Sequence, residues 1–471
     1  MSKTKIVATF GPASQSPSVI ESMVDEGVSC ARLNLSHGTK EKHSDLIASL
    51  KKIRNDNDLP LSIIADTKGP EVRIRPAEGG DIHLNEDEVV LLTSGRAGEH
   101  KSFIADYEDI RGFLDEGYEV IVGDGELSLT VETVSDRGVR CRTMSSGVIS
   151  GRQRITVPGI SFPLPPITEQ DKKDIKFAVS EGADWLALSF VKGGEEIKQA
   201  KELARDVDDR DVPVIAKIET AESVENIEEI ALVADGLMVA RGDLAMALGM
   251  EEVPFLQKRI IRLANNMAKP VVTATQMLET MIDAPTPTRA EVTDVANAVL
   301  DGTDAIMLSG ETAIGSYPAK TVSTMRKIAR KADDNFSPSN NLTSQLDGKR
   351  SETAPEIGRA SCTMAERLEA GAIITSTRSG YTARLIARFR PEVQIIAVTP
   401  SRSVYNQLAL VWGVKPIRME TTRNTDQMIE KSIYSAREEG YVDKGDLVVV
   451  TAGVPFSVEG TTNLIKVEQV G

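Results

Sequence analysis

Lys217 and Glu219 stand two residues apart in the run 214–219 (VIAKIE), so in an extended chain both side chains project to one side. Asp243 lies in a separate run, 239–244 (VARGDL). Two carboxylates offer hard oxygen donors suited to Mg²⁺, which fills its remaining positions with water and substrate oxygens. A lysine beside such a metal suits stabilisation of charge on a transferring phosphoryl group. Asn34, Ser36 and Asp66, with a backbone carbonyl, offer neutral or singly charged oxygens better matched to a monovalent cation. The chain has no Walker A loop (GxxxxGK[ST]) and no GxGxxG, so a nucleotide would bind without either phosphate cradle.

These residues need a frame that brings them together. The first 70 residues alternate strand and helix signals: 5–9 (KIVAT), 29–33 (SCARL) and 61–65 (LSIIA) read as strands. Ser16-Pro17 opens one intervening helix with the apolar stripe Val19, Ile20, Met23 and Val24. Leu46, Ile47, Leu50 and Ile53 mark the face of the next. From about Pro76 to Arg154 no helical stripe appears. Leu127, Leu129 and Val131 alternate with polar residues after the turn Gly123-Asp124-Gly125, which predicts an inserted small β domain. The helix–strand rhythm returns at Thr168-x-x-Asp171, with strands at 184–190, 214–217, 236–240, 271–274 and 305–308. The lead-ins Glu181-Gly-Ala-Asp, Asp235-Gly and Asp301-Gly-Thr-Asp look alike, each read as a glycine ending a helix before a buried strand. Eight β-runs outside the insert favour a (β/α)8 TIM barrel over an open sheet. The polar stretch 335–350 reads as a linker, and the remaining residues as one small α/β domain with strands at 371–375, 394–399 and 446–451. The expected limits are 1–75 for the first part of the barrel, 76–154 for the β lid, 155–345 for the second part with linker, and 346–471 for the C-terminal domain.

In such a barrel reactive residues sit just past the C-terminal ends of the strands. Arg32-x-Asn34-x-Ser36, Asp66-Thr67-Lys68, Lys217-Ile-Glu219, Arg241-Gly242-Asp243, Thr275-Gln276 and Ser309-Gly310-Glu311 all fall there. A lysine at a strand end is ordinarily a solvated charge, and an acid there is often a helix cap. Six clusters on one rim argue for a site.

Composition excludes other classes. The 471 residues carry 55 Lys+Arg and 70 Asp+Glu, a net charge of −15, which argues against broad nucleic-acid binding. Cys30, Cys141 and Cys362 are too far apart for a zinc site, no HExxH occurs, and no apolar run reaches the ~18 residues of a membrane span. The N-terminus lacks a signal-peptide pattern, so a cytoplasmic protein is expected.

Seven ordered segments closely resemble the pyruvate kinase family along essentially the whole chain: 4–14 (TKIVATFGPAS), 31–38 (ARLNLSHG), 66–73 (DTKGPEVR), 216–219 (AKIE), 239–244 (VARGDL), 274–278 (ATQML) and 307–312 (MLSGET). The resemblance implies a barrel with an inserted β-barrel lid domain and a C-terminal α/β domain. It implies transfer of the phosphoryl group of phosphoenolpyruvate to ADP, the final step of glycolysis, by a cytoplasmic homotetramer using Mg²⁺ (or Mn²⁺) and K⁺. Carried over, Glu219 and Asp243 would ligate Mg²⁺, while Lys217 would stabilise the transition state and Arg32 contact the phosphoryl group. Thr275 would lie near the enolate carbon, and the backbone around Gly242 would hold the substrate carboxylate. Asn34, Ser36, Asp66 and Thr67 match the K⁺ site; Asn34, Ser36, His37 and Arg73 match nucleotide-contact positions. Glu71 and Thr67 are of the K⁺-dependent type. Gln153 stands where the family often has a lysine, between Arg152 and Arg154. Thr375, Ser376, Thr377, Ser379, Gly380 and Thr382 resemble the family's loop for a phosphorylated effector; the alternative is an ordinary turn capping a helix. The rival class is a barrel lyase or aldolase of the phosphoenolpyruvate/pyruvate group, against which stand the β insert, the K⁺ constellation and the third domain.

Overall fold

The computed structural model describes every residue except 1, 96–100, 124, 126, 337–352 and 455–461. Asp124 of the expected turn and most of the expected linker lie outside the described residues. Parallel strands Lys5–Thr9, Cys30–Asn34, Ser62–Asp66, Trp185–Leu188, Val214–Ile218, Gly236–Ala240, Val271–Ala274 and Ala305–Leu308 close into a barrel in chain order. Both faces of each strand are covered, which is why the strands read as apolar runs rather than alternating ones. Val7, Cys30, Ile64, Trp185, Ile215, Met238, Val272 and Met307 fill the interior. Helices flank it outside, and the capping box at Thr168–Asp171 forms as the sequence predicts. Gly182 ends that helix with φ +72°, a conformation that favours glycine. The Asp235-Gly236 lead-in works differently. The helix Ile227–Val233 ends at Ala234, and Gly236 is the first strand residue, packed against the Pro270 carbonyl.

The insert is a closed seven-stranded barrel. Its first strand, Val72–Pro76, pairs with its last, Gln153–Thr156, so pairing runs a few residues past the 76–154 limits. Leu127, Leu129 and Val131 are buried inside it, as the alternation predicts. The C-terminal domain is a five-stranded sheet in the order Val414–Arg418, Gln394–Thr399, Ala372–Ser376, Leu447–Ala452, Leu464–Gln469, with only the last strand antiparallel. The sequence reading missed Val414–Arg418 and Leu464–Gln469. The first is interrupted by Pro416, and the second is an edge strand with exposed charges. Ala409 and Leu410 of the C-terminal domain pack into the barrel interior. Asp184 and Asp304, from two lead-ins, bind Asn406 and Arg390 across this junction. Among the described residues no helix is long and apolar enough to cross a membrane.

Candidate active site

Strand register sets the site. Asn34 pairs with Asp66, Asp66 with Ala187, and Thr9 with Arg32, so side chains distant in sequence become neighbours at the barrel mouth. Asp66 is fully buried and accepts from Arg32 Nε at 2.6 Å, while Arg32 Nη1 donates to Thr9 Oγ1 at 3.0 Å. Lys217 Nζ lies 2.8 Å from Glu219 Oε1 and 3.3 Å from Asp66 Oδ1, and donates to Ser189 Oγ at 2.7 Å. Burial opposes the Lys217 charge, but Asp66 and Glu219 outweigh it and hold the pKa above the ordinary lysine value. Burial likewise opposes the Asp66 charge, and Arg32 and Lys217 hold its carboxyl below the usual range. At Glu219 the balance reverses. Burial pushes its pKa up, Lys217 opposes this, and the neighbouring Asp243 charge pushes it further.

Glycine at 69 is required by a close approach. It adopts φ +74°, and a Cβ there would meet Phe190 Cδ2 at 2.6 Å and Ser189 Cβ at 2.8 Å. This contact seats the strand-three loop against Ser189, whose hydroxyl donates to the Thr67 carbonyl at 2.8 Å. Phe190 N donates to Glu219 Oε2 at 2.7 Å, fixing the second oxygen of that carboxylate.

Arg241-Gly242-Asp243 opens the helix Arg241–Leu248. The Gly242 N–H donates to Thr275 Oγ1 at 2.9 Å. Asp243 accepts from Arg154 of the lid, and Arg73 donates through both Nη2 and Nε to the single oxygen Glu71 Oε2 at 2.7 and 2.9 Å. A cleft between barrel and lid is lined by Arg32, Asn34, Ser36, His37, Thr67, Arg73, Lys217, Glu219 and Asp243 together.

Most residues singled out in the sequence therefore meet at one mouth. Glu311 does not face it: its carboxylate accepts from Leu278 N and Ser309 N, tying two loops together. His37 is exposed at the cleft, with its carbonyl accepting from His43. In the C-terminal loop Thr375, Thr377 and Thr382 are buried, and Thr382 Oγ1 pairs with Thr462. The helix there, Tyr381–Ala387, is capped by Gly380 and begins two residues before the start expected near Ala383. Ser189 escaped the sequence reading. Its only signal is its place just past the end of the fourth barrel strand, the position already used for the other clusters.

Among the described residues no group of three or more His, Cys, Asp or Glu is arranged to hold a metal. Glu219 and Asp243 supply two carboxylates whose charges repel each other. That donor set fits a cation that keeps waters and substrate oxygens as its other ligands.

Residues 1–322 match the family model described as pyruvate kinase, barrel domain, and 356–468 that described as pyruvate kinase, alpha/beta domain. The chain is 40% identical over 472 residues to a pyruvate kinase of Clostridium acetobutylicum, covering 100% of both proteins. It is 40% identical over 474 residues to pyruvate kinases of Staphylococcus aureus strains MRSA252 and USA300, covering 100% of this chain and 81% of each relative. Full-length matches of this kind decide against the barrel lyase, and the chain belongs to the pyruvate kinase family.

Proposed function

We propose that the protein transfers the phosphoryl group of phosphoenolpyruvate to ADP, giving pyruvate and ATP, at the mouth built from Arg32, Asp66, Lys217, Glu219, Asp243 and Thr275. The observation that carries this is the Lys217 ammonium, held charged between two carboxylates at the end of a barrel strand and still partly open to the cleft. Its Nζ donates to Ser189 and lies 2.8 and 3.3 Å from the Glu219 and Asp66 carboxylates, so an incoming phosphoryl oxygen competes with these three partners. Ser189 is the neutral partner and the one whose loss leaves no carboxylate unpaired. Arg32, already oriented by Asp66 and Thr9, presents its guanidinium to the same group. The first N–H groups of helix Arg241–Leu248 suit the substrate carboxylate. Thr275 Oγ1, held by the Gly242 N–H, lies beside that position, where the enolate left by transfer takes up a proton at carbon.

Glu219 and Asp243 would hold Mg²⁺ or Mn²⁺, which supplies positive charge between the two anionic substrates. Asn34, Ser36, Asp66 and Thr67 would hold K⁺, and Asn34, Ser36, His37 and Arg73 would meet ADP. The lid, closing over the cleft, limits access of water and thereby hydrolysis. We read the domain limits as 1–75 and 155–345 for the barrel, 76–154 for the lid, whose closing strand pair extends to 72 and 156, and 346–471 for the C-terminal domain. A cytoplasmic homotetramer responding to a phosphorylated effector near Thr375–Thr382 completes the reading.

The test is pyruvate formation, followed by a coupled dehydrogenase, with each component omitted in turn. The expected result is turnover that needs phosphoenolpyruvate, ADP and Mg²⁺ and falls when KCl is exchanged for tetramethylammonium chloride. Pyruvate release without ADP contradicts phosphoryl transfer, and equal rates in the two salts contradict the K⁺ site.

A further inference from the structure

Arg154 reaches out of the lid's last strand, Gln153–Thr156, into the barrel mouth. Its Nη1 donates to Asp243 Oδ1, its Nη2 lies 3.6 Å from Met246 Sδ, and its guanidinium stands 5.8 Å from the centre of the Phe190 ring. The Arg154 and Asp243 side chains are 15% and 21% exposed, so water screens the pair only partly. Arginine keeps its charge throughout the working pH range, so proton transfer cannot dissolve this pair. Another cation at Asp243 can.

Glu71 offers the displaced guanidinium a second partner. Its Oε2 is taken by Arg73, whereas its Oε1 lies 3.9 Å from Arg154 Nη1. A small side-chain movement carries Arg154 from the barrel carboxylate to one at the root of the lid. There it joins Lys68 and Arg73, which also face Glu71 and line the cleft.

We propose that Arg154 is the resident counterion of Asp243. It occupies a carboxylate oxygen that a divalent cation takes, so metal binding and release of this lid-to-barrel tie are one exchange. The inference rests on the reading of Asp243 as a metal ligand. It assigns the lid's return strand a positioning role: with the metal absent Arg154 keeps the lid tied down, and with the metal bound it adds positive charge to the nucleotide side of the cleft. The segment that follows this strand offers a reporter, because the Gly159 N–H donates to the Ala247 carbonyl of the barrel at 2.9 Å.

Mn²⁺ serves as the probe, with free ion measured by electron paramagnetic resonance in the absence of substrates at constant ionic strength. Removing the competing charge in Arg154→Ala should tighten Mn²⁺ binding by roughly three- to thirtyfold, the scale of a partly screened hydrogen bond between charged groups. Arg154→Gln, which keeps more of the side chain's bulk, should do the same. In the wild type Mn²⁺ should speed amide exchange at Gly159, and in both variants exchange should be fast already and insensitive to the metal. Unchanged or weaker Mn²⁺ binding in both variants, while Asp243→Asn abolishes it, overturns the counterion role. Full Mn²⁺ affinity in Asp243→Asn overturns the metal-site reading itself, and the exchange with it.

Discussion

Thr275 has a backbone φ of +68° and Gln276 one of +51°, a region that β-branched residues rarely adopt and that costs about 1–3 kcal/mol. Such strain persists only where the surroundings impose it. Arg241 does so here: its Nη2 donates to the Thr275 carbonyl at 2.6 Å, its Nε to the Ala274 carbonyl at 3.2 Å, and its Nη1 to Asp294 at 2.7 Å. In this turn the Thr275 hydroxyl oxygen accepts from the Gly242 N–H at 2.9 Å. Arg241→Met removes the clamp and leaves carbonyls and a carboxylate without their partner. We expect a stability loss of about 2–4 kcal/mol by urea unfolding, with kcat falling while KM for phosphoenolpyruvate changes little. Arg241→Lys should restore part of both. Undiminished stability in Arg241→Met would show that the turn is held by something else.

Secondary elements were legible where local pattern and tertiary demand agree. Lys5–Thr9, Gly236–Ala240, Val271–Ala274, Ala305–Leu308 and Gln394–Thr399 match the sequence expectation residue for residue. The other barrel strands differ by one or two residues at their ends, where polar site residues begin and apolar pattern stops. The second helix buries its whole stripe, Leu46, Ile47, Leu50 and Ile53, whereas in the first Ile20 and Met23 are buried and Val19 and Val24 only partly so. Local pattern failed where contacts are distant. Gly236 copies the Asp-Gly spelling of a helix stop but begins a strand, and the glycine answers instead to a close approach: a Cβ there would meet the Pro270 carbonyl oxygen at 3.0 Å. The site was legible as a list of strand ends. What joins its members was not, since the Ser189–Lys217 and Arg154–Asp243 contacts depend on strand register and on how the lid folds back. Glu311 carries the same signal as Glu219, a carboxylate past a barrel strand, yet its hydrogen bonds go to backbone N–H groups.

At the scale of the molecule, the end of the barrel opposite the site is sealed by the C-terminal domain. Lys5, at the base of the first strand, donates to the Val414 carbonyl at 2.8 Å. Burial pushes its pKa down to about 7, Lys415 pushes the same way, and Cys30, Asp333 and Asp304 oppose. The unfolded chain keeps this proton up to an ordinary lysine pKa of about 10.4. Between those values the unfolded state binds more protons, so stability rises with pH; the penalty is complete below pH 7 and fades as pH climbs. Lys5→Met should therefore gain more over the wild type at pH 7 than at pH 9 in urea unfolding. An equal difference at both pH values would contradict a depressed lysine. The same junction holds Arg390 against Asp304 and places its guanidinium 4.8 Å from the Trp412 ring centre, so the Lys5 lysine sits within a shared interface rather than a lone pocket.

In the proposed function the Lys217 ammonium stabilises phosphoryl transfer at this mouth. Lys217→Met tests it most directly, because the Met side chain keeps the apolar stem and removes the charge. Rapid-quench single turnover, with phosphoenolpyruvate saturating and circular dichroism checking the fold, should show ATP formation slowed by ~10²–10³. Retention of more than about a tenth of the wild-type rate, well outside that range, would contradict the account.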